Sequence, residues 1–399
     1  MAAPAARPDA MRRHNLALIL AQVHRDGALT RAELTARLGL SRSTIGALVT
    51  DLVELGLVEE SVPSGGTRAG RPSHLVGPSL SGPYVVAVDV DVTQVTLAAI
   101  GLGGELRARQ AIVLDAAPTP EQAAALIVES IPTLVQAAGL SGTPVSIGVS
   151  VPGTVDRHTG TVGFAPNLAW RDAKFGTILA DLAAPHVPVL IGNDADLAVL
   201  AEHSRGTARE HSDVVFLIGR IGVGAGIIVN GVPLRGNHGH AGEIGHNVVD
   251  PGGPDCHCGK RGCLETFVGD HALLDLAGRP LTGADQETEK VFAAARTGDE
   301  RALEAVRTVA ASLGQALGLL VNTLNPELIV LGGSFAGVLA IARENIEAAL
   351  DRYVFNSPGE QVVLSEPSLG EDSALIGAAE IAFAQLIADP LGGRALAAR

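Results

Sequence analysis

Apolar residues return at three- and four-residue intervals within the first 60 positions, which is the period of amphipathic helices. They form the stripes of a first and a third helix: Leu16, Ile19, Leu20 and Val23, then Ile45, Leu48, Val49, Leu52 and Leu55. A capping box of Thr30 and Glu33 starts a second helix, which ends near Gly39. Ser41 suits the N-cap of the third helix, and Gly56 the position after its end. Two helices joined by the tight turn LGLS predict a helix-turn-helix.

The polar face of the third helix is predicted to read DNA. The residues left free to approach a major groove are Arg42, Ser43, Thr44, Gly46, Ala47 and Thr50. A purely structural three-helix bundle is the alternative. Residues 1–80 hold 9 arginines, no lysine and 7 acidic residues, a net charge of +2, whereas the rest of the chain carries −16. Because phosphate contacts need local positive charge, only this N-terminal part is a plausible DNA partner.

The segment 61–83 is rich in Gly, Pro and Ser, and its composition predicts no regular element. Within it, RAGRP places Arg68 and Arg71 on a glycine-flanked loop directly after the helices. Arginine is favoured in minor grooves, so we expect these two residues to act as a wing. The expected organisation is a helix-turn-helix domain over 1–60, a wing and hinge-like linker over 61–83, and a body over 84–399.

Apolar strands alternate with helices twice over in this body. The first series is YVVAVDV, QVTLAAI, RQAIVL, a helix from Pro120 to about Ala138, and VSIGVSV. The second is VPVLIG, a helix from Asn193, DVVFLIG, AGIIVNG, a long helix around 301–322, ELIVLGG and two further helices. This alternation predicts an α/β body in two similar lobes with a cleft between them.

Composition narrows the class of protein. A chain of 399 residues suggests two or three domains, and 47% hydrophobic residues is ordinary for globular protein. No apolar run is long enough to span a membrane, and the N-terminus lacks a signal-peptide core, so we expect a soluble cytoplasmic protein without membrane contact. All 3 cysteines lie in CHCGKRGC, which suits metal binding in a reducing compartment better than disulfides.

Six ordered motifs resemble the ROK family (repressors, open reading frames and sugar kinases): VSVPGTVD, APNLAW, GNDADLAVLAE, IGVGAGIIVNG, AGEIGH and CHCGKRGCLE. They extend over nearly all of 84–385. With the N-terminal helices, the whole chain is similar to the family's transcriptional repressors of the N-acetylglucosamine or xylose type. The resemblance implies an α/β fold class, in which a winged helix-turn-helix precedes a two-lobed, actin/hexokinase-like ROK sugar-binding domain.

The resemblance also implies a structural zinc site in the loop 246–263. The matching ligand positions are His246, Cys256, Cys258 and Cys263. Three thiolates and an imidazole form the closed tetrahedral shell that structural zinc prefers. The alternative is three buried free thiols. His257, between two ligands, is expected to face solvent.

A sugar pocket is the next implication of the resemblance. In the family's kinases the Asp of the NDA motif accepts a proton from the attacking hydroxyl, and that position is Asp194 here. Positions that match contacts to sugar hydroxyls are Asn193, Glu243, His246 and Glu265, with Gly153 and Asn167 as further candidates. Carboxylates and amides can satisfy hydroxyls, which both donate and accept. As alternatives, Asn193 caps a helix and Glu265 lies on the surface.

The phosphate loops depart from the family's kinase pattern. The first phosphate hairpin, approximately Asp-x-Gly-Gly-Thr-Lys in kinases, reads DVDVTQ here, so Asp91, Val92 and Gln94 replace two glycines and the lysine. Side chains in place of glycine block a close backbone approach to phosphate, and Asp91 adds a like charge. In the second loop Arg220 and Ile221 replace the usual Gly-Thr, although LGGS (331–334) is retained. We therefore predict that ATP binding is lost or very poor and that the protein is not an enzyme.

Three functions remain to be compared. The favoured one is a transcriptional regulator, acting as a repressor, whose affinity for DNA depends on a sugar or sugar phosphate. An active ATP-dependent sugar kinase with a regulatory DNA-binding module is the second, and DVDVTQ argues against it. A repressor controlled by a protein partner is the third, and the retained Glu243, His246 and Glu265 argue against that. Family repressors are homo-oligomers, so we expect a homodimer or tetramer on a palindromic operator.

Overall fold

The computed structural model describes residues 8–62, 74–237, 239–355 and 362–392. Its helices are α1 (Pro8–Asp26), α2 (Arg31–Leu38), α3 (Arg42–Glu54), α4 (Pro120–Ala137), α5 (Phe175–Leu182), α6 (Asp194–Ser204), α7 (Glu265–Val268), α8 (Asp270–Ala277), α9 (Ala284–Arg296), α10 (Glu300–Leu324), α11 (Ser334–Tyr353) and α12 (Ser373–Ala388). Short 3-10 turns lie at Pro166–Leu168, Ile244–His246 and Gly370–Asp372. Within these ranges, none of the helices has the length and apolar character that crossing a membrane requires.

The strands are β1 (Leu29–Thr30), β2 (Val58–Ser61), β3 (Leu75–Pro78), β4 (Tyr84–Val90), β5 (Gln94–Gly101), β6 (Leu106–Val113), β7 (Ile147–Val151), β8 (Thr154–Asp156), β9 (Thr161–Ala165), β10 (Trp170–Ala173), β11 (Val189–Asn193), β12 (Val214–Gly219), β13 (Val223–Val229), β14 (Val232–Pro233), β15 (Leu328–Gly333) and β16 (Val363–Ser365). Sequence periodicity predicted the long strands and helices of both lobes. It did not predict β8–β10, β14, β16, α5 or α7–α9. Most of these elements are too short to show a repeating pattern of apolar residues.

Local capping forms the helix-turn-helix as predicted. The Thr30 side chain accepts from the Glu33 N–H, and a Glu33 carboxylate oxygen accepts from the Thr30 N–H at 2.7 Å. At the next helix, Ser41 Oγ accepts from the N–H of Thr44 at 3.1 Å. The α2 cap Gly39 has a left-handed φ of 65°, which glycine adopts without strain. The predicted apolar stripes form the core of this domain, although Leu55 is only partly buried.

The segment 61–83 contains regular structure, contrary to the prediction from its composition. Strand β3 pairs antiparallel with β2 and with β1, which completes the three-stranded sheet of a winged helix domain. Val76 is fully buried, so the chain from Leu75 onwards is packed rather than hinge-like. The prediction used the average composition of the whole segment, in which the many Gly, Pro and Ser residues concealed a strand of only 4 residues. Arg68 and Arg71, between β2 and β3 in sequence, lie outside the described residues.

Two five-stranded sheets of the same topology form the body. The first has the order β11-β7-β4-β5-β6, and the second, read in reverse, has β16-β15-β12-β13-β14. In each, a meander of antiparallel strands is extended by two parallel strands beside its first strand. The predicted α/β body with two similar lobes is confirmed. A smaller antiparallel sheet, β8-β9-β10, adjoins the first lobe.

Helices α6 and α12 pack against each other between the two sheets. Helix α12 lies on β4 and β7 of the first lobe, and α6 lies on β12 and β13 of the second. A Cβ atom on Gly226 of β13 would stand 2.1 Å from the Ala195 carbonyl oxygen, and one on Gly377 of α12 would stand 2.0 Å from that of Leu197. Both glycines are therefore required by direct contact with the backbone of α6.

The N-terminal helix-turn-helix domain docks on the body through α1 and α12. His24 of α1 is 3% exposed and its Nε2 lies 3.2 Å from Glu380 Oε2. His24 Nδ1 accepts from the Gly103 N–H at 3.1 Å, and Arg205 Nη2 lies 2.7 Å from the Nε2 that faces Glu380. Arg205, the C-cap residue directly after α6, donates from Nε to Glu380 Oε1 at 2.5 Å. Burial raises the pKa of Glu380, but the hydrogen bonds and charges of His24 and Arg205 outweigh this and lower it.

Glu380→Ala is expected to lower the free energy of unfolding by about 3–5 kcal/mol, because it leaves the buried Arg205 guanidinium without its carboxylate. Chemical denaturation of the full chain measures this. The matched control is Glu210→Ala, at an exposed position, which should change stability by less than about 0.5 kcal/mol. Equal stabilities of the two variants would contradict the role assigned to Glu380.

Candidate ligand pocket, metal cluster and nucleic-acid interface

A pocket between the lobes brings together all the residues that were predicted to contact sugar. Its lining includes Gly153, Asn167, Asn193, Asp194, Glu243, His246 and Glu265. In the first lobe, parallel strands β7 and β11 end side by side, and this places Gly153 next to Asn193. The turn at Ile244–His246 packs on β13 of the second lobe and supplies Glu243 and His246. Residues far apart in sequence therefore converge because strand ends meet at one edge of each sheet.

Asn193 both caps a helix and lines the pocket. Its Oδ1 accepts from the Asp196 N–H at 3.0 Å, which is the N-cap bond of α6. Its Nδ2 donates to the Gly153 carbonyl oxygen at 3.0 Å and to Asp194 Oδ1 at 2.9 Å. The capping alternative considered from sequence is thus correct, and it does not compete with a place in the pocket. Glu265 is not a surface residue, since its side chain is only 13% exposed.

Asp194 is the first residue of α6 and its carboxylate is tied to the start of that helix. Oδ1 accepts from the N–H of Ala195 at 2.9 Å. Burial raises the pKa of Asp194 to about 7; the charge of Arg220 opposes this increase, and Asp89 and Asp91 add to it. A carboxyl group that titrates near neutrality can exchange protons with a hydroxyl or hydrogen-bond it in either form.

Sequence reasoning missed two features of the pocket lining. The first is Asp196, whose pKa burial raises to about 6. It is the second aspartate of NDAD, so its place on the first turn of the same helix was the available signal. The second feature is an ion pair across the cleft, in which Arg220 Nη1 donates to Asp91 Oδ2. It joins the β4–β5 turn to the β12–β13 turn, and no local pattern could have indicated it.

The cluster of His246, Cys256, Cys258 and Cys263 has the geometry of a metal site. One ligand atom from each residue lies within 4.8 Å of all the others. Cys258 Sγ and Cys263 Sγ are 3.6 Å apart, and Cys256 Sγ lies 3.7 Å from His246 Nδ1. Bond lengths of a tetrahedral zinc ion imply about 3.5–3.8 Å between ligand atoms. The four residues could therefore hold one tetrahedral ion, and His257 is exposed as predicted.

The metal cluster and the ligand pocket share residues. His246 turns Nδ1 to Cys256, while its Nε2 lies 4.0 Å from Glu243 Oε2 in the pocket. A carboxylate opposite the second ring nitrogen is a common way to orient a metal-binding histidine. Cys256 Sγ donates to Glu265 Oε1 at 2.7 Å. Burial raises the pKa of the Cys256 thiol and this hydrogen bond raises it further, whereas metal ligation would need the thiolate.

The predicted DNA-reading face of α3 is accessible. Arg42, Ser43, Ala47 and Thr50 are exposed, and Thr44 and Gly46 are partly buried. Other described arginines of this domain pair with carboxylates: Arg12, Arg13, Arg25, Arg31 and Arg37. Among the described residues of this domain, Arg42 is the arginine that has no such partner. An unpaired arginine at the start of the second helix of a helix-turn-helix could contact bases or phosphates.

Fold and site together define an α/β protein with a ligand cleft between two similar lobes, preceded by a winged helix-turn-helix. Residues 85–385 match the family model described as "ROK family", and residues 17–69 match "MarR family". The chain therefore belongs to the ROK family, as the sequence motifs predicted.

Three similar proteins illustrate this membership. The chain is 28% identical to the xylose repressor of Bacillus spizizenii over 374 residues, 92% of this chain and 94% of that protein. It is 32% identical to the glucokinase of Halalkalibacterium halodurans, over 75% of this chain and 94% of that enzyme. Among solved structures, a ROK family transcriptional regulator, described as a homolog of the E. coli MLC protein, matches 98% of this chain and 100% of its own, with a TM-score of 0.78 and 25% identity.

Purified protein is expected to hold about one equivalent of divalent metal, because the four donors complete one tetrahedral shell. Cys258→Ser should lose the metal and lower the melting temperature, whereas His257→Ala, next to it but outside the cluster, should keep both. Elemental analysis and thermal unfolding measure the two effects. A well-folded protein free of metal after purification without chelators would refute the site.

Asp194 should make stability depend on pH. Its pKa rises from 3.8, the ordinary value of an aspartate in an unfolded chain, to about 7 in the fold. Between these values the folded state holds the extra proton, so the stabilisation present at low pH is lost as the pH rises towards 7. Asp194→Asn has no carboxyl group to titrate and so avoids this loss. The free energy of unfolding of the variant, relative to that of wild type, should therefore increase by up to about 1.4 kcal/mol per pH unit until the pH passes the folded pKa. Denaturation curves from about pH 5 to 8 test this, with the exposed Asp115→Asn as the control.

Proposed function

We propose that the protein is a transcriptional repressor whose affinity for DNA is controlled by a sugar bound between its two lobes. It is a DNA-binding repressor of sugar-metabolism genes and acts in the cytoplasm. The observation that carries this proposal is the union in one chain of two features. One is a recognition helix with an unpaired Arg42, and the other is a cleft lined by carboxylates and an amide. The repressor and regulator relatives, aligned over nearly the whole chain, support it.

The chemistry of the pocket suits a polyol. Asn193, Glu243 and Glu265 offer acceptor oxygens in a partly enclosed space, and His246 adds a ring nitrogen. Sugar hydroxyls both donate and accept, so buried polar groups of this kind bind them and reject stereoisomers that leave a group unpaired. We assign Gly153, Asn167 and Asp194 to the same pocket.

An active sugar kinase is the second candidate function, because glucokinases are also relatives and Asp194 has the properties of a general base. Two observations favour loss of nucleotide binding. The ion pair between Asp91 and Arg220 occupies the region where the resemblance to kinases would put phosphate groups. The glycines of LGGS serve packing, since a Cβ on Gly333 would stand 2.1 Å from the Gly219 carbonyl oxygen.

Structural zinc is the metal that we assign to the Cys3His cluster. Four protein ligands close the shell, which leaves no open position for catalysis. When bound, zinc supplies a rigid cross-link within the loop 246–263. His246 then holds Nδ1 at the cluster and Nε2 towards Glu243, so the loop carries a pocket residue in a defined orientation.

Helix α6 is the element that would transmit sugar binding to the DNA-binding domain. It begins in the pocket at Asp194 and ends at Ser204, and the next residue, Arg205, holds Glu380 and the Gly103 carbonyl oxygen. Glu380 in turn holds His24 of α1. A rigid helix moves both ends together, so a sugar that favours one position of Asp194 also favours one position of α1.

Paired recognition helices would convert this movement into a change of DNA affinity. We propose a homodimer or tetramer that reads palindromic half-sites about 34–36 Å apart. Small displacements of each recognition helix would then be enough to misalign the pair of helices with the two half-sites. Arg42 and the wing residues Arg68 and Arg71 supply the positive charge that phosphate and minor-groove contacts need.

The proposal is tested by measuring operator binding with and without sugar in three variants. Arg42→Ala should weaken operator binding by about 1–3 kcal/mol and leave sugar binding intact. Glu243→Gln should abolish the effect of sugar on DNA and leave sugar-free operator binding close to wild type. Arg205→Met should keep sugar binding but uncouple it from DNA, whereas Arg343→Met, on the surface of α11, should change neither.

Two results would refute the repressor function. One is equal operator affinity of the full chain and of residues 84–399 alone. The other is ATP-dependent phosphorylation of a sugar that disappears in Asp194→Asn, which would establish the kinase alternative.

A further inference from the structure

The pocket between the lobes carries a surplus of carboxyl groups. The described lining contains six acidic residues: Asp91, Asp194, Asp196, Glu243, Glu265 and Asp285. Arg220 is the one arginine or lysine among the described lining residues. His246 also lines the pocket, and its Nδ1 is turned away from the pocket towards Cys256 in the metal cluster.

The charge of Arg220 is already satisfied within the protein. Its guanidinium donates to Asp91 across the cleft and lies 3.7 Å from Glu371 on the other side. Asp89, at the end of β4, also acts on it electrostatically. An arginine that is held by carboxylates offers little to an incoming anion, because that anion must first displace one of them.

Two backbone amides at the start of α6 are also occupied. Phosphate groups commonly bind the free N–H groups at a helix N-terminus, and α6 begins in this pocket. However, Asn193 Oδ1 accepts from the Asp196 N–H and Asp194 Oδ1 accepts from the Ala195 N–H. The start of α6 is thus capped by the protein's own side chains, one of which is an acid.

We infer that the effector is an uncharged, unphosphorylated sugar, and that Asp91 together with Arg220 excludes sugar phosphates. This inference rests on the proposed function, since it concerns what the same pocket selects. A phosphoryl group carries about −1.5 to −2 charges near neutral pH. It would either break the Asp91–Arg220 ion pair or remain unpaired among carboxylates, whereas hydroxyl groups find acceptors throughout the lining.

Titration calorimetry on the full chain tests this with two matched pairs of ligands, xylose with xylose 5-phosphate and glucose with glucose 6-phosphate. In the pair that the protein recognises, the free sugar should bind at least about tenfold more tightly than its phosphate. Asp91→Asn releases Arg220 and should reduce the ratio of the two affinities, free sugar to sugar phosphate, severalfold. Glu371→Gln removes a charge from Arg220 outside the pocket and should leave the affinity for the free sugar unchanged.

The outcomes separate this inference from the proposed function. Tighter binding of a sugar phosphate, selectively weakened by Arg220→Gln, would overturn the exclusion of phosphates and leave a sugar-responsive repressor standing. Failure of all four ligands to bind a protein that still binds its operator would overturn the sugar-responsive function, and the inference with it.

Discussion

The architecture depends on the direct backbone contact of α6 with the elements on both of its sides. Gly226 on β13 and Gly377 on α12 have no Cβ, and any side chain there would overlap a carbonyl oxygen of α6. The helix is therefore held in one position between the two sheets. Because protein interiors are close-packed and resist compression, a helix held this way moves as a rigid body with its neighbours or not at all.

This position gives the two ends of α6 different tasks. Its first turn carries Asn193, Asp194 and Asp196 into the pocket, where caps and burial set their hydrogen bonds and pKa values. Its last turn presents Arg205 to Glu380, the carboxylate that also holds His24 of the DNA-binding domain. The pocket and the contact with the helix-turn-helix domain thus lie at opposite ends of one short element.

Motifs in sequence order predicted the membership of the pocket and of the metal cluster well. Each member of the Cys3His set is chemically distinctive, and Asn193–Asp194 follows a strand and starts a helix, which is a local pattern. Asp196 was missed because acidic residues in the first turn of a helix are common for reasons unrelated to ligands. Strand β3 was missed because a few apolar residues were averaged with the glycines and prolines around them.

The sequence alone determined the local features: the capping box of Thr30 and Glu33, the Ser41 cap, the periodic strands and helices, and the residue types of the Cys3His set. All of these depend on residues a few positions apart or on the chemistry of single side chains. Tertiary structure alone decided that Asp91 pairs with Arg220, 129 positions away, and that His24 meets Glu380, 356 positions away. Such pairs leave no period in the chain, because they form only when two sheets and the helices between them bring distant segments together.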